Sequence, residues 1–375
     1  MQTVPATEHP ISASTGVPSL STASLPGFEL WIEGRIARIR LSESARGNLL
    51  TTSRIVGIRE LLAALAGERQ VELVVIEGEA GVFCSGPDLP AFYRARTDGA
   101  DAAREFARAA SGLVLDVARC PKPILAMMDG VVVGGGLALG AHATYRVVTE
   151  RTRIALPQTA VGLVTDLGLS RQLARAPAGI GAYLCLTGVG IGPADAIYTG
   201  SADGFVHSDR LEYMCEKLAN PFAGPIEDIL NAYAQVPGES QLTINSRGIA
   251  AAFGQPSVSG ILDTLSTLGE DWGKPAEAAI LSGSPVAMQL SLALIRQAGE
   301  RRRLEDCLRA EHHFVCKLLD CGEAYEGIGA RLVEPLRLPR WLAARPADVD
   351  AQVLASFLTP LLPGDGLGLP TGLNS

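Results

Sequence analysis

Apolar and polar positions in the first half of the chain follow two different periods. Short segments that alternate apolar and polar residues, or are continuously apolar, predict β-strands, and apolar residues at helical spacing predict helices between them. The predicted strands are Arg35–Leu41, Leu73–Ile76, Pro123–Met128, Tyr145–Thr149 and Arg153–Leu156. The predicted helices are Thr52–Leu65, Ala102–Ala118, Leu137–Ala143 and Arg171–Ala176. This alternation favours an α/β core with mainly parallel strand pairing, which we expect over residues 28–207.

From about Ser208 onward the strand pattern fades and helical spacing dominates, so we expect residues 208–359 to form a helical region. The segments between Asn220 and Pro225 and between Pro237 and Ser240 are expected loops, and no internal sequence repeat is visible. The helices predicted here are Arg210–Leu218, Ile226–Tyr233, Ser259–Leu268, Pro285–Gln297, Leu304–Leu319 and Val349–Phe357.

The two ends of the chain have the composition of disordered tails. Residues 1–27 are rich in Ser, Thr, Pro and Ala and contain no Lys or Arg, and residues 360–375 have a similar character. A segment without a basic region or Arg-rich amphipathic pattern is typical of neither a signal peptide nor a transit peptide. We therefore expect tails at 1–27 and 360–375, and a cytoplasmic protein.

Composition excludes several classes of partner. The 375 residues carry a net charge of −8, with no long Lys/Arg-rich run, which argues against nucleic acid. No apolar run approaches the roughly 20 residues of a membrane span. The seven cysteines are scattered and contain no C-x-x-C pair, which fits a reducing compartment. No set of side chains has metal-ligand spacing beyond the single pair His312 and Cys316, so we expect no metal.

The segment between Lys122 and Leu173 carries the candidate chemistry. Gly134, Gly135 and Gly136 follow three valines and open a small-residue helix. The first turn of such a helix leaves backbone N–H groups beside the positive end of its dipole, a natural place for a developing oxyanion. Gln158 and Asp166 follow downstream. A polar side chain and a carboxylate near this helix start predict acyl chemistry, although an amide cannot transfer protons at neutral pH.

These motifs resemble the crotonase, or enoyl-CoA hydratase/isomerase, superfamily. The segment Val82–Leu89 is similar to the family's FCAGADL loop, and Tyr145–Glu150 and Leu184–Tyr198 are similar to family elements as well. The resemblance runs from about Phe28 to Asp350. It implies a ClpP-like spiral fold of ββα units followed by a helical C-terminal region, and an acyl-CoA substrate whose CoA is not a separate cofactor. The resemblance is also compatible with a homo-oligomer.

Within the superfamily the sequence is most similar to the 3-hydroxyisobutyryl-CoA hydrolases of valine catabolism. That group's TERT, MPETAIG, FPDVG, LTG and FYEGVRA motifs have counterparts along the chain, as do its Ser-Pro pair and its Glu-Asp-rich helix. The resemblance therefore implies a short-chain acyl-CoA thioester hydrolase. The counterparts are Thr149–Thr152, Leu156–Gly162, Val164–Gly168, Leu186–Gly188, Ser284-Pro285, Glu305–Glu311, and Ala324–Gly327 with Arg331.

The resemblance also implies the site residues, and several depart from the family pattern. Gly135 matches the glycine whose N–H forms half of the oxyanion hole, and Asp166 matches the hydrolase's second acid. The other oxyanion donor falls on Pro87, which has no N–H. The glutamate shared by hydratases and hydrolases falls on Gln158. The implied catalytic residues are Asp166, Gln158 and Gly135, and the implied substrate-binding residues are Ser85, Gly86, Pro87, Asp88, Gly134 and Gly136.

Two further family acids are missing: the hydratase's first glutamate falls on Ala138, and a hydrolase glutamate falls near Ala110. Losing a general base removes roughly 10²–10⁴ in rate, and losing one oxyanion donor roughly 10²–10³. Three functions stay open. Asp166 could serve as the base of a thioesterase with reduced or shifted activity, the chain could be a dienoyl-CoA isomerase or hydratase type of crotonase, or it could bind acyl-CoA without catalysis.

Each of these residues also has a structural interpretation. Asp166 could N-cap a helix starting near Leu167, and the three glycines could serve close helix packing. Cys84 is more often a core residue than a nucleophile in such a setting, and His142 a packing histidine. Arg94 and Arg96, just past the loop at Gly86, are candidates for phosphate contacts or for a solvated face.

Overall fold

A computed structural model describes residues 22–97, 102–300, 303–349, 351–359 and 366–368 of the chain. The strands of this part are β1 (Thr22–Leu25), β2 (Phe28–Glu33), β3 (Ile36–Leu41), β4 (Leu73–Glu77), β5 (Val82–Cys84), β6 (Ile124–Met128), β7 (Val131–Val133), β8 (Tyr145–Val148), β9 (Arg153–Ala155) and β10 (Gly204–Phe205).

Helices fill most of the remaining described chain. They are α1 (Thr52–Gly67), α2 (Leu89–Ala95), α3 (Ala102–Ala118), α4 (Gly135–Ala141), α5 (Leu169–Leu173), α6 (Ile180–Thr187), α7 (Pro193–Tyr198), α8 (Leu211–Ala219), α9 (Ile226–Tyr233), α10 (Gln241–Ile244), α11 (Ser246–Phe253), α12 (Val258–Leu268), α13 (Gly273–Ser282), α14 (Pro285–Ala298), α15 (Leu304–Asp320), α16 (Glu323–Ile328) and α17 (Ala351–Phe357). Single turns of 3₁₀ helix lie at Ser44–Arg46, Gln158–Val161, Ser208–Arg210 and Pro346–Asp348, and a π-helical turn at Gly329–Val333.

Two sheets organise the core. The larger has the strand order β1-β2-β3-β4-β6-β8-β10 and the smaller the order β5-β7-β9. β1, β2 and β3 pair antiparallel, whereas every pairing from β3 onward in the large sheet, and every pairing in the small sheet, is parallel. The expected mainly parallel α/β core is confirmed.

A structural unit repeats along the core although no sequence repeat is visible. Each unit places one strand in the large sheet and the next strand in the small sheet, and then forms helix: β4, β5 and α2; β6, β7 and α4; β8, β9 and α5. This is the expected spiral of ββα units. Because parallel strands of the small sheet end at a common edge, the chain segments that follow β5, β7 and β9 are brought together there.

The C-terminal region is helical, as predicted, and it packs on the core. α14 contacts α5 and α6, and α15 contacts α3 and α5. The apolar faces of α14 and α15 form a second hydrophobic cluster around Val164 and Leu294, beside the main cluster of the α/β core. The helical region therefore forms one wall around the segment between β9 and α5.

The ends of the chain require a correction. Residues 22–25 of the expected N-terminal tail form β1, which pairs with β2 in register from Thr22 opposite Trp31 to Leu25 opposite Phe28. At the other end, Leu367 packs against the main core cluster. Pairing with β2 supplies this segment with sheet hydrogen bonds despite its Ser-rich composition. Residues 1–21, 360–365 and 369–375 lie outside the described part of the chain.

Several of the predicted helix boundaries shift by a few residues. The helix predicted at Leu137 begins at Gly135, since the glycines form its first turn. The helix predicted at Arg171–Ala176 is α5 (Leu169–Leu173), and α17 starts only at Ala351. Within the described ranges, no single helix is long and apolar enough to cross a membrane, and one pair bent by 115°, α13 with α14, passes that test by length and composition only.

Candidate active site

A cavity of about 630 Å³ opens where the segments after β5, β7 and β9 meet. Its wall is mostly apolar, and a few polar groups face into it. Six of the predicted site residues contribute to this wall: Ser85, Pro87, Gly134, Gly135, Gln158 and Asp166. Arg331, from the π-helical turn of the C-terminal region, lies in the same wall and donates a hydrogen bond to the carbonyl of Ser282 at 2.6 Å. The spatial grouping expected from the sequence is present.

Gly86, Asp88 and Gly136 support this wall from behind instead of lining it. Asp88 is the N-cap of α2, and its carboxylate accepts the N–H of Ala91 at 3.1 Å. A Cβ atom on Gly136 would come within 2.0 Å of the carbonyl oxygen of Cys84, so α4 lies against β5 as closely as glycine allows. That these three residues touch substrate stays a prediction.

The start of α4 supplies one backbone donor to the cavity. Gly134 is the N-cap residue with φ 51° and ψ −114°, a conformation that favours glycine. The N–H of Gly135 belongs to the first turn, where a helix has no internal acceptor for it. A ligand oxygen at this point would therefore receive a hydrogen bond and the favourable field of the helix N-terminus.

The loop after β5 offers no matching donor. The N–H of Ser85 is bonded to the carbonyl of Gly47 at 2.9 Å, that of Gly86 to Sγ of Cys84 at 3.5 Å, and that of Asp88 to the carbonyl of Leu50 at 3.4 Å. Pro87, between them, has no N–H. Its Cδ lies 3.3 Å from where a Cβ on Gly135 would be, so the ring occupies the place beside the α4 donor.

Gln158 is a buried polar side chain without a protein partner. It is 8% exposed, and within the described chain neither Oε1 nor Nε2 has a hydrogen-bond partner. The 3₁₀ turn that begins at Gln158 aims the amide at the start of α4, since Nε2 lies 3.6 Å from where a Cβ on Gly134 would be. Leaving both ends of a buried amide unsatisfied is costly, so its hydrogen-bonding capacity is available to a group that enters the cavity.

Asp166 lines the cavity as a half-buried carboxyl group. Burial raises its pKa to about 7, and the nearby charge of Glu311 adds to the rise. The capping interpretation is wrong, because α5 begins at Leu169 and its N-cap is Gly168. A carboxyl group with this pKa can both accept and return a proton near neutral pH.

The turn that carries Asp166 is strained and held from two sides. Leu167 has φ 58°, which is rare for a non-glycine residue and marks over-determined sites. Its carbonyl lies 2.9 Å from Nε2 of His142. Burial lowers the pKa of His142 to about 4, so the neutral ring donates this hydrogen bond. On the other side, Glu311 accepts the N–H groups of Gly168 at 2.7 Å and Ser170 at 3.2 Å.

Sequence reasoning missed the roles of His142 and Glu311 in this turn. His142 does pack, as expected, yet it also fixes the carbonyl next to Asp166. Glu311 belongs to the Glu305–Glu311 motif, to which no role was given. It is 1% exposed and on α15, far along the chain. A buried acid in an otherwise apolar helix face was the only available signal.

The remaining candidates have structural roles. Burial raises the pKa of Cys84 to about 12, so its thiol is a core group and no nucleophile. Ala138 and Ala110 are 1% and 3% exposed, and no acid replaces the missing family glutamates there. Arg96 lies over the ring of Tyr93, away from the cavity wall. Within the described residues no group of three or more metal-ligating side chains surrounds His312 and Cys316.

Comparison with known proteins decides the family. The model of the family described as Enoyl-CoA hydratase/isomerase matches residues 36–358. The chain belongs to this family. Its curated relatives include a chicken (Gallus gallus) protein named 3-hydroxyisobutyryl-CoA hydrolase, mitochondrial, which is 29% identical over 339 residues, 88% of each chain. They also include an Arabidopsis thaliana protein named probable 3-hydroxyisobutyryl-CoA hydrolase 3, 29% identical over 85% of this chain and 88% of that one.

Two solved structures of this family are similar over almost their full length. One is a carnitinyl-CoA dehydratase from Mycobacterium thermoresistibile, with a TM-score of 0.84 and 31% identity over 90% of this chain and 97% of that chain. The other is an enoyl-CoA hydratase from Rhodobacter sphaeroides, with a TM-score of 0.84 and 31% identity over 92% and 100%. The crotonase fold with its helical C-terminal region is thus shared with members that carry different activity names.

Proposed function

We propose that this enoyl-CoA hydratase/isomerase family member hydrolyses a short-chain acyl-CoA thioester, with Asp166 as the general base. The observation that supports this proposal most directly is that the carboxyl group of Asp166, whose pKa is raised to about 7, lies in the same cavity wall as the Gly135 N–H. A base with a pKa near the working pH combines a useful deprotonated fraction with adequate basicity. Gln158 cannot take this role because an amide does not accept the proton.

The reaction follows from these positions. The thioester carbonyl oxygen accepts a hydrogen bond from Gly135, and the Asp166 carboxylate takes a proton from water as the water oxygen bonds to the carbonyl carbon. The tetrahedral intermediate then collapses, the C–S bond breaks, and Asp166 returns the proton to the departing CoA sulfur. One thioester and one water give one carboxylic acid and one CoA thiol. The same carboxyl group thus serves both steps.

The cavity wall favours a small, mainly apolar acyl group. Around the polar groups it consists of hydrophobic side chains, and Arg331 and Leu332 of the C-terminal region contribute to it. The relatives named 3-hydroxyisobutyryl-CoA hydrolase support 3-hydroxyisobutyryl-CoA, and hence valine catabolism, as the first substrate to test. The apolar lining residues include Leu49, Leu89, Phe106, Val133, Leu163 and Leu332.

Hydration of an enoyl-CoA is the second candidate, since the two similar structures are named hydratase and dehydratase. That reaction needs two groups to move protons, and the positions of the two family glutamates hold Ala138 and Gln158. Assays distinguish the candidates directly: hydrolysis releases a free thiol, whereas hydration or double-bond isomerisation changes the absorbance of the enoyl thioester without releasing one.

The test uses purified protein with a panel of short acyl-CoA thioesters and a thiol reagent. We expect CoA release by the wild type and a loss of roughly 10²–10⁴ in kcat for Asp166→Asn. Asp271→Asn, which changes an exposed carboxylate, serves as the matched control. Tight calorimetric binding of the thioesters without CoA release or absorbance change would support the non-catalytic acyl-CoA binder instead and contradict the proposal.

The compartment and assembly belong to the same proposal. None of the seven cysteines, all within the described residues, forms a disulfide, which fits a reducing compartment, and we place the protein in the cytoplasm. Several relatives carry "mitochondrial" in their names, so fractionation of the native host with matrix and cytosolic markers is the deciding measurement. A homo-oligomer stays a prediction that light scattering of the purified chain would check.

A further inference from the structure

Two departures from the family pattern lie next to each other in space. At Pro87 the loop lost a backbone N–H, and at Gln158 a carboxylate was replaced by an amide that carries two N–H bonds. Both residues border the start of α4, Pro87 through its Cδ at Gly135 and Gln158 through its Nε2 at Gly134. Beside this turn, Pro87 therefore lacks the N–H donor that the family pattern implies, while the Gln158 amide provides an N–H donor nearby.

The Gln158 amide is free to serve a ligand. Within the described chain no protein group holds either end of it, so it can present its NH₂ group to the cavity whichever way the amide is turned. The side chain is also shielded from solvent, since it is only 8% exposed. In a site shielded from water, a side-chain amide is an effective oxyanion donor.

We propose that the side-chain amide of Gln158 donates the second hydrogen bond to the thioester oxygen, in place of the backbone N–H that Pro87 lacks. The oxyanion hole of this chain then consists of the Gly135 N–H and the Gln158 amide. The inference rests on the proposed thioester chemistry, because it names the groups that bind the reacting oxygen.

This arrangement explains why an amide is the suitable residue at position 158. A carboxylate there would face the negative oxygen of the tetrahedral intermediate without a backbone N–H at Pro87 to compensate, and like charges at close range are costly. An amide supplies partial positive charge at the same place. Proton transfer is then left to Asp166, which lines the same cavity as Gly135.

The first experiment measures hydrogen bonding to the carbonyl without turnover. The probe is a ketone analogue of isobutyryl-CoA in which CH₂ replaces the thioester sulfur and the carbonyl carbon is carbon-13. Infrared difference spectra of the complex with the wild type should show the C=O stretch shifted below its position in water. Gln158→Leu should move it to higher frequency, and the exposed-residue control Gln70→Leu should not. An unchanged stretch in Gln158→Leu overturns the inference.

The second experiment is a double-mutant cycle that reads function. Gln158→Leu should lower kcat by roughly 10²–10³, as for loss of one oxyanion donor, with a much smaller change in KM. Pro87→Ala restores the loop N–H, and we expect its effect on kcat to be at least tenfold more favourable in the Gln158→Leu background than in the wild-type background. Equal effects of Pro87→Ala in both backgrounds overturn the inference.

The outcomes separate this inference from the proposed function. Wild-type protein that releases CoA while Gln158→Leu keeps full kcat retains the thioesterase and refutes the Gln158 donor. Wild-type protein that releases no CoA but shifts the carbonyl stretch in a Gln158-dependent manner refutes the hydrolase and retains the donor. Circular dichroism and thermal unfolding of each variant confirm that it is folded, and the ketone spectrum is taken only on saturated complexes.

Discussion

Glu311 lies against the turn that carries Asp166, close enough for its charge to act on the Asp166 carboxyl group. Glu311 binds the N–H of Gly168, two residues after Asp166, and its negative charge adds to the rise in the pKa of Asp166. One buried carboxylate of the C-terminal region thus fixes the position of the base and tunes its acidity. Glu311 does not line the cavity, so it acts as a positioning residue.

Replacing Glu311 should therefore change the pH profile. Glu311→Gln keeps an acceptor for the turn but removes the negative charge, so the pKa of Asp166 should fall and the acidic limb of kcat/KM should move to lower pH. The measurement is kcat/KM against pH for CoA release, with the exposed Glu216→Gln as control. If kcat falls in Glu311→Gln while the acidic limb of kcat/KM stays at the same pH, Glu311 acts only by holding the turn in position.

The wild-type profile itself carries a prediction. The base must be a carboxylate, and its pKa is raised to about 7 by burial. Below this value kcat/KM should fall about tenfold for each pH unit, and above it should level off. The residual kcat/KM of Asp166→Asn should not show this fall at acidic pH. A wild-type limb near pH 4 would instead indicate a carboxyl group with an ordinary pKa.

Burial of Asp166 also affects stability in a pH-dependent way. Its pKa is higher in the folded than in the unfolded chain, so the folded state binds more protons between pH 4 and 7 and stability falls as pH rises through this window. Asp166→Asn removes the cost of the buried charge. Since one pKa unit corresponds to about 1.4 kcal/mol, denaturant unfolding should show a gain above about 1 kcal/mol at pH 8 and little gain at pH 4.

A combined substitution tests how the altered positions depend on each other. Gln158→Glu alone should lower kcat, because it puts a second carboxylate near the oxyanion while Pro87 still lacks an N–H. Pro87→Ala together with Gln158→Glu rebuilds the arrangement implied by the family and should give a higher kcat than Gln158→Glu alone, by roughly 10²-fold. The exposed Pro335→Ala provides the control for changing a proline. If Pro87→Ala and Gln158→Glu change log kcat additively, the two positions do not depend on each other and the prediction is contradicted.

The packing of α4 on β5 gives a prediction about stability. Gly136→Ala would bring a methyl group to within 2.0 Å of the Cys84 carbonyl, so backbone must move, and overpacking of this kind costs roughly 1–3 kcal/mol. Gly190→Ala meets nothing within 4 Å and is the matched control. Denaturant midpoints compare the two. Equal midpoints would mean that α4 can shift away from β5 without cost.

Much of the fold was predictable because hydrophobic periodicity is a local property. Long, regular elements such as α3 and β6 were predicted with nearly correct bounds. The three-residue strands β5 and β7 were missed, whereas the equally short β9 was predicted, because so few residues show no reliable period. The resemblance supplied the spiral arrangement, which periodicity alone does not give.

The site was predictable as far as neighbours in sequence define it. Gly135, Gln158 and Asp166 lie in one segment and meet in the cavity as expected. The partner of the Asp166 turn lies 143 residues from Gly168, and no local pattern reports a contact at that distance along the chain. The free amide of Gln158 likewise became visible only when its surroundings were known.

The hydrogen bonds from Gly168 and Ser170 to Glu311 have a consequence for how this protein can evolve and be dissected. The change from sheets to helices near residue 207 marks a boundary in architecture, but the turn of the proposed base, Asp166, on one side is held by Glu311 on the other. A core fragment that ends near residue 207 should keep Gly135, Gln158 and Asp166 but lose the hydrogen bonds by which Glu311 holds the turn after Asp166. The two parts must therefore be inherited, exchanged and engineered as one unit.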